Sequence, residues 1–160
     1  MKHWIWSLLI ITTSCYTFQG ISIPADVDTF YVETFEDVSG EAPPEFNVNF
    51  SEDLMRKIRD NSRLQVDQRD PDLYFSGSIT QFTVRAEDPN NQVGTALNRL
   101  YVRIEVKKFN TVTEEEEVLK YEEIGEFGAE QDFFEVQDAI LEDVTERLLE
   151  RIFNDSFTNW

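Results

Sequence analysis

The sequence predicts an α+β fold in which two helices pack on one face of a mainly antiparallel sheet of about four to five strands. Three patterns favour this class: a clearly alternating strand at residues 98–109, a long helix with an apolar stripe near the C-terminus, and a shorter helix before most of the strands. Because each element has one apolar face, these faces must be buried against one another. A chain of 160 residues suits one such domain.

The first predicted element is a strand within residues 20–35. This segment contains short alternating apolar patches, with Phe30 and Val32 on one side, and is bounded by prolines. A second, shorter candidate strand covers residues 63–66.

A helix is predicted over residues 49–62, between these two strands. Phe50, Leu54 and Ile58 recur at helical spacing and form its apolar side. Ser51 is the expected N-cap, because serine hydroxyls often accept hydrogen bonds from the first free amides of a helix. The first helix is therefore expected to begin at about this residue.

The segment 73–86 is predicted to be a strand with an irregularity in its middle. Its apolar residues change parity near Thr80, which indicates a β-bulge or bend. Gly77 is interpreted as a point of close approach by another backbone or side chain. A polar connecting loop is expected over residues 87–95.

Residues 98–109 form the clearest strand in the sequence. A turn with four consecutive glutamates is expected over residues 110–117, and residues 118–127 are predicted to return as a strand with weaker alternation. Antiparallel sheets with one covered face have this alternating pattern. The apolar face of the clear strand consists of Leu100, Val102, Ile104 and Val106.

The last predicted element is a long helix. Asp132 and Glu135 fit a capping box at its start, and its acidic residues lie opposite an apolar stripe. Trp160, at the end of the chain, is expected to contribute to the core. The stripe consists of Val136, Ile140, Leu141, Val144, Leu148, Leu149 and Ile152.

Residues 1–14 are interpreted as a signal peptide, which leaves 15–160 as a single domain. Lys2 provides the positive start, an apolar run follows, and small residues precede Cys15. The apolar run is shorter than the roughly 20 residues that a membrane span needs. Cys15, the only cysteine, is the expected lipidation site and membrane anchor. The alternative, a secretory peptide with a free thiol, leaves that lone cysteine unexplained.

Charge and residue usage exclude several classes of function. Removal of residues 1–14 takes away one lysine and no acid, leaving 13 basic and 32 acidic residues, a formal charge of −19. This charge opposes binding to nucleic acid and to anionic membrane surfaces. The same removal eliminates His3, the only histidine, so imidazole-based and thiolate-based catalysis and Cys/His zinc sites are not expected. The protein is therefore predicted to be neither an enzyme nor a cofactor protein.

Clusters of carboxylates leave two minor alternatives open. Asp67, Asp70 and Asp72 and the glutamates at 114–117 are interpreted as solvated turns. Glycoside hydrolysis would require two acids in unlike environments across a cleft. A calcium site at the aspartates lacks the glycine and terminal glutamate of an EF-hand loop. No metal site is therefore assigned.

The polar face of the clear strand is basic in an otherwise acidic chain. Arg99, Tyr101, Arg103 and Lys107 share this face. Guanidinium groups bind phosphate or carboxylate through paired hydrogen bonds, and a tyrosine ring adds an amphipathic surface. These four residues are the candidate contact for an anionic partner. The alternative is that the basic residues pair with acids on the neighbouring strand.

Several segments of the sequence resemble the LptE family of lipopolysaccharide-assembly lipoproteins, in the form found in Bacteroidota. The segments are CYTFQGISIPADV followed by TFYVETF, then DPDLYFSGSITQFTV and LNRLYVRIEV, and finally RIFNDSFTNW. The opening and closing segments are the more specific ones. Together the segments extend over nearly the whole chain after residue 14.

The resemblance implies an outer-membrane lipoprotein on the periplasmic side, with two helices on a sheet of about four strands. It implies that this domain sits inside an LptD β-barrel, as a plug and assembly factor, while lipopolysaccharide is delivered to the outer leaflet. It also implies contact with lipopolysaccharide itself. Cys15 is the one residue whose role transfers directly. The second hypothesis is a general periplasmic interaction module that assists another envelope or transport complex.

Overall fold

A computed structural model describes residues 22–87 and 97–157. Residues 1–21 with Cys15, residues 88–96 with most of the predicted loop, and residues 158–160 with Trp160 lie outside it. The described residues form two helices and a mixed six-stranded sheet, which confirms the predicted α+β class. The elements are, in chain order, β1 (Thr29–Val32), β2 (Glu36–Asp37), α1 (Phe46–Asn61), β3 (Gln65–Val66), β4 (Leu73–Glu87), β5 (Leu97–Asn110), β6 (Glu115–Gly128) and α2 (Phe133–Phe157).

The sheet combines a long antiparallel part with short parallel additions. Its strand order is β3-β1-β4-β5-β6, and β2 also pairs with β4. Strands β4, β5 and β6 are antiparallel, whereas β1 and β2 run parallel to β4, and β1 runs parallel to β3. Parallel neighbours need a crossover connection, and α1 provides it between β1 and β3. The parallel pairings and the two-residue strand β2 were not expected from the sequence.

Strand β4 contains the irregularity that its sequence predicts. Its register against β5 shifts between Ile79 and Gln81, which confirms the bulge. Gly77 is the point of close approach: a Cβ atom there would lie 2.4 Å from the carbonyl oxygen of Glu105 and 2.6 Å from the ring of Phe35. Only glycine leaves space for this ring against β4.

The turn between β5 and β6 is shorter than the predicted 110–117. It occupies residues 111–114, and Asn110 Oδ1 stabilises it by accepting hydrogen bonds from the amides of Val112 and Thr113 (2.9 and 3.1 Å). Three of the four glutamates lie in β6, where Glu117 forms an ion pair with Lys108 (2.6 Å). Pairing with β5 therefore outweighs the low strand propensity of the glutamates.

The predicted N-cap of α1 is wrong. The helix begins at Phe46, and Ser51 lies inside it with 3% of its surface exposed. Its hydroxyl accepts a hydrogen bond from the amide of Phe35 (2.9 Å) and donates one to the carbonyl of Asn47 (2.7 Å). The apolar stripe extends one turn further towards the N-terminus, through Phe46, and burial of that residue moves the start of the helix.

The start of α2 and its apolar stripe agree with the sequence. Asp132 Oδ1 accepts a hydrogen bond from the amide of Phe134 (2.9 Å), as expected of an N-cap. The stripe is half-buried over its first turns, at Val136, Ile140 and Leu141, and extends beyond Ile152 to Phe157. Its fully buried members are Val144, Leu148, Leu149, Ile152, Phe153 and Phe157.

Both helices pack against the same face of the sheet, and the core lies between the two layers. This arrangement leaves the opposite face of β4, β5 and β6 uncovered by either helix, and it is called the open face below. Neither helix of the described ranges has the length and apolarity needed to cross a bilayer. The largest fully buried side chains of the core are Phe30, Phe35, Phe50 and Phe75.

Candidate functional site

The basic side chains predicted on one face of β5 lie together on the open face. The alternate residues of β5, from Leu100 to Val106, are completely buried under the helices. Arg99, Tyr101, Arg103 and Lys107 have the opposite parity, so they point away from the helices. The strand pattern therefore places all four residues on one surface.

Two of these cations pair with acids on β6. Arg99 Nε lies 2.8 Å from Glu126 Oε1, and Arg103 Nε lies 3.0 Å from Glu122 Oε2. Each arginine is directly opposite its glutamate in the β5–β6 register. This is the cross-strand pairing that the sequence left open as an alternative. Half-exposed pairs of this kind contribute only about 0–1 kcal/mol, so an incoming phosphate can compete with the glutamates.

Tyr101 and Lys107, the other two residues of this face, have different surroundings from the two arginines. The guanidinium carbon of Arg85, on β4, lies 5.4 Å from the ring centre of Tyr101, which is a cation–π contact. Lys107 lies in register with Ser76 and Val118, neither of which carries a charge. Among the three cations of the group, Lys107 is therefore the one with no opposite charge directly across from it on either neighbouring strand.

An aromatic strip lies on the open face beside Lys107. It consists of Tyr31 on β1, Tyr74 on β4 and Phe109 on β5, which are successive neighbours in the strand register. The rings of Tyr31 and Tyr74 have centres 6.1 Å apart. Burial, together with the hydrogen bond of its hydroxyl to Glu33, raises the pKa of Tyr74 to about 12. Each aromatic residue was visible in the sequence, but the strip depends on the parallel β1–β4 pairing.

Arginines of α2 cover the outer side of β6. Arg147 Nη2 donates to the carbonyl of Ile124 (2.8 Å), and Arg151 Nη1 donates to the carbonyl of Glu122 (3.1 Å). Both guanidinium groups also pair with Glu123, whose side chain is only 15% exposed. This cluster attaches α2 to the edge of the sheet and neutralises a nearly buried carboxylate.

Asp72, one of the acids that raised the calcium and hydrolase alternatives, has a structural role. Asp72 Oδ2 accepts hydrogen bonds from the amides of Asp28 and Thr29 and from the Thr29 hydroxyl (2.8, 2.9 and 2.8 Å). These bonds hold the pKa of Asp72 below its usual range, whereas a general acid needs a raised one. In residues 22–87 and 97–157, no group of three or more His, Cys, Asp or Glu side chains is arranged to hold a metal ion.

The solved structures to which this chain is similar are distant from it in sequence. Protein XCC0632 from Xanthomonas campestris has a TM-score of 0.56 at 9% identity, covering 86% of this chain and 90% of that one. The PelC dodecamer from Paraburkholderia phytofirmans has a TM-score of 0.50 at 9% identity, with 83% and 91% covered. A minor lipoprotein from Acinetobacter baumannii has a TM-score of 0.48 at 9% identity, with 82% and 96% covered.

The two structures with TM-scores of 0.50 and above establish the fold alone. No curated protein is detectably similar to the chain. A family model, by contrast, matches residues 27–156, from the residues before β1 almost to the end of α2. The matched range includes both helices, all six strands and the whole open face. The chain therefore belongs to the LptE family, described as lipopolysaccharide-assembly.

Proposed function

We propose that this protein is a lipid-anchored outer-membrane lipoprotein, without catalytic activity, that plugs and supports an LptD-type β-barrel during lipopolysaccharide assembly. The observation that carries the proposal is the family match over residues 27–156. The polar, strongly charged exterior of the domain supports it, because wide barrels enclose water-filled lumens that accept polar plugs. The formal charge of the whole chain is −18.

The packing of Ser22 indicates which end of the domain the proposed anchor at Cys15 would hold at the membrane. The amide of Ser22 donates to the carbonyl of Phe157 (2.8 Å), which fixes the start of the described chain at the C-terminal end of α2. The seven residues 15–21, which precede Ser22, extend at most about 25 Å. A lipid on Cys15, after removal of residues 1–14, holds this end of the domain close to the membrane on the periplasmic side.

The open face is the proposed contact for lipopolysaccharide. Arg99, Arg103 and Lys107 supply cations for its phosphates, and Tyr101 supplies a flat amphipathic ring. The aromatic strip continues this surface beyond Lys107 and offers apolar area next to the charges. A phosphorylated amphiphile needs this combination of cations and apolar surface.

Affinity purification from membranes in mild detergent tests the barrel partnership. The wild-type chain is expected to recover one large outer-membrane barrel, identified by mass spectrometry. The Cys15→Ser variant is expected to lose membrane attachment, and Thr17→Ser is the matched control that retains it. If no barrel is recovered, the proposal fails. Recovery of a different envelope complex instead would favour a general periplasmic interaction module.

A further inference from the structure

One side of β4 is paired with other strands over only part of its length. Strand β5 pairs with all of β4, from Leu73 to Glu87. On the other side, β1 pairs with residues 73–75 and β2 with residues 78–79. In the part of the chain that the structure describes, no strand pairs with residues 81–87 on that side. This stretch is called the β4 edge below.

The direction of the backbone groups on the β4 edge follows from the hydrogen bonds before the bulge. The carbonyls of Phe75 and Ile79 accept from the amides of residues 33, 38 and 39, on the side of β1 and β2. The bulge adds one residue to β4 between Ile79 and Gln81. After it, the backbone groups of Phe82 and Val84 therefore point to the same side as those of Phe75 and Ile79 do before it. Their N–H and C=O groups therefore point outwards along the β4 edge.

The edge of the sheet formed by β6 is covered by side chains of α2. There Arg147 and Arg151 donate to the outward carbonyls of Ile124 and Glu122 on β6. Proteins commonly cover exposed strand edges, because an uncovered edge is a template for another strand. The two arginines protect the β6 edge in this way. The β4 edge, in contrast, lies beside an apolar cleft.

The cleft has a volume of about 700 Å³ and separates the segment before α1 from the first turn of α2. Pro43 and Pro44 form one wall, Phe133 and Phe134 form the other, and Phe82 lies between them. Phe134 is 83% exposed, which is unusual for a phenylalanine on a helix that is otherwise packed on a core. Val84, on the β4 edge itself, also lines the cleft.

We propose that the β4 edge and this cleft form a strand-addition site for an extended segment of a partner protein. Outward backbone groups require an extended polypeptide, and a cleft beside them accepts one of its apolar side chains. Four exposed acids, Glu41, Glu45, Asp132 and Glu135, line the cleft or flank its walls in the chain. This charge favours a neutral or basic segment over an acidic one.

Residues 15–21, which precede Ser22, are too few to reach the site. The cleft is at the start of α2, whereas Ser22 is bonded to Phe157 at its end. The 25 residues of α2 separate these ends by about 37 Å. Residues 15–21, if Cys15 is the first residue, extend less than that distance from Ser22. The site therefore lies at the end of the domain opposite the proposed anchor.

Photo-crosslinking in intact membranes tests this site on the full chain. A photoreactive amino acid placed at position 84 or at position 134 is expected to capture the same neutral or basic peptide of another protein, identified by tandem mass spectrometry. Placement at Val112, which is 46% exposed in the turn at the other end of β5, is the matched control and is expected not to capture it. This outcome does not require the partner to be a barrel, so it is independent of the proposed function.

Two variants separate strand addition from simple apolar contact. Phe134→Ser is expected to lower the yield of the adduct from position 84 about tenfold (about 1.4 kcal/mol), because the partner segment loses an apolar contact with the phenylalanine ring. Val84→Pro removes an outward N–H while leaving the β5 side intact, and is expected to lower the yield from position 134. Val84→Thr, which keeps the N–H, is its control, and thermal melts monitor folding.

The proposal is overturned if neither position captures a peptide from another protein. Adducts with a second copy of the chain, or with residues 88–96 of the same chain, also overturn it, because the occupant would then be the protein itself. An unchanged adduct yield in a folded Val84→Pro variant would contradict strand addition.

Discussion

Arg147 of α2 donates a hydrogen bond from Nη2 to the backbone carbonyl of Ile124, on the outer side of β6 (2.8 Å). The same side chain pairs with Glu123 through Nε (3.1 Å). One arginine thus attaches the long helix to the last strand, covers an edge carbonyl and neutralises a nearly buried carboxylate. This relationship explains how a very acidic sheet edge remains packed against a helix.

Replacement of Arg147 by methionine is expected to lower the free energy of unfolding by about 1–2 kcal/mol, since a carbonyl and a carboxylate lose a charged partner. Urea denaturation monitored by circular dichroism measures this change. Arg59→Met, which removes an exposed arginine paired with its neighbour Asp60, is the control and is expected to change stability little. Equal effects of the two substitutions would contradict the role of Arg147.

Replacement of Ser51 by alanine is expected to lower the free energy of unfolding by about 1–3 kcal/mol, because the amide of Phe35 would lose its buried acceptor. Denaturation curves at neutral pH measure the loss. Thr113→Ala, in the exposed turn between β5 and β6, is the control. A fully stable Ser51→Ala variant would show that the hydroxyl is dispensable for joining α1 to the segment after β1.

The stability of the protein is expected to fall as pH rises from about 10 to about 12. The pKa of Tyr74 is raised to about 12 in the folded state, whereas the ordinary value is 10.0. The neutral phenol is therefore favoured by folding, and its contribution is complete below pH 10 and lost as pH rises through the folded pKa. Tyr74→Phe is expected to make this part of the pH profile less steep, and the remaining slope comes from Tyr121, whose pKa burial also raises. Identical profiles for the two proteins would contradict the assignment.

The double substitution Arg99→Gln and Arg103→Gln is expected to weaken binding of purified lipopolysaccharide about tenfold, if two phosphate contacts of about 0.7 kcal/mol each are lost. Surface plasmon resonance at fixed ionic strength measures the affinity. Arg56→Gln with Arg59→Gln, on the exposed side of α1, is the charge-matched control. An unchanged affinity would assign the two arginines to cross-strand pairing alone.

Local patterns were sufficient to predict much of the fold. The parity of β5, the bulge in β4, the close approach at Gly77 and the stripe of α2 depend on neighbouring residues, and all four are confirmed. The start of α1 was placed too late because Ser51 suits an N-cap chemically. Its burial against Phe35 depends on tertiary contacts that spacing alone does not reveal.

The surfaces were harder to predict than the elements. Strand parity alone places Arg99, Tyr101, Arg103 and Lys107 on one face. The aromatic strip and the β4 edge, in contrast, depend on the parallel pairing of β1 and β2 with β4. The periodicity of such short strands does not indicate which strand they pair with or in which direction. Their pairing is set by the crossover through α1, which is a property of the whole chain.

The most direct test of the proposed role is the amount of lipopolysaccharide at the cell surface after depletion of this protein from its own cells. Antibody labelling of intact cells is expected to show a strong loss of surface lipopolysaccharide, restored by the wild-type chain and by Thr17→Ser but not by Cys15→Ser. Normal surface lipopolysaccharide after complete depletion would contradict a role in its assembly.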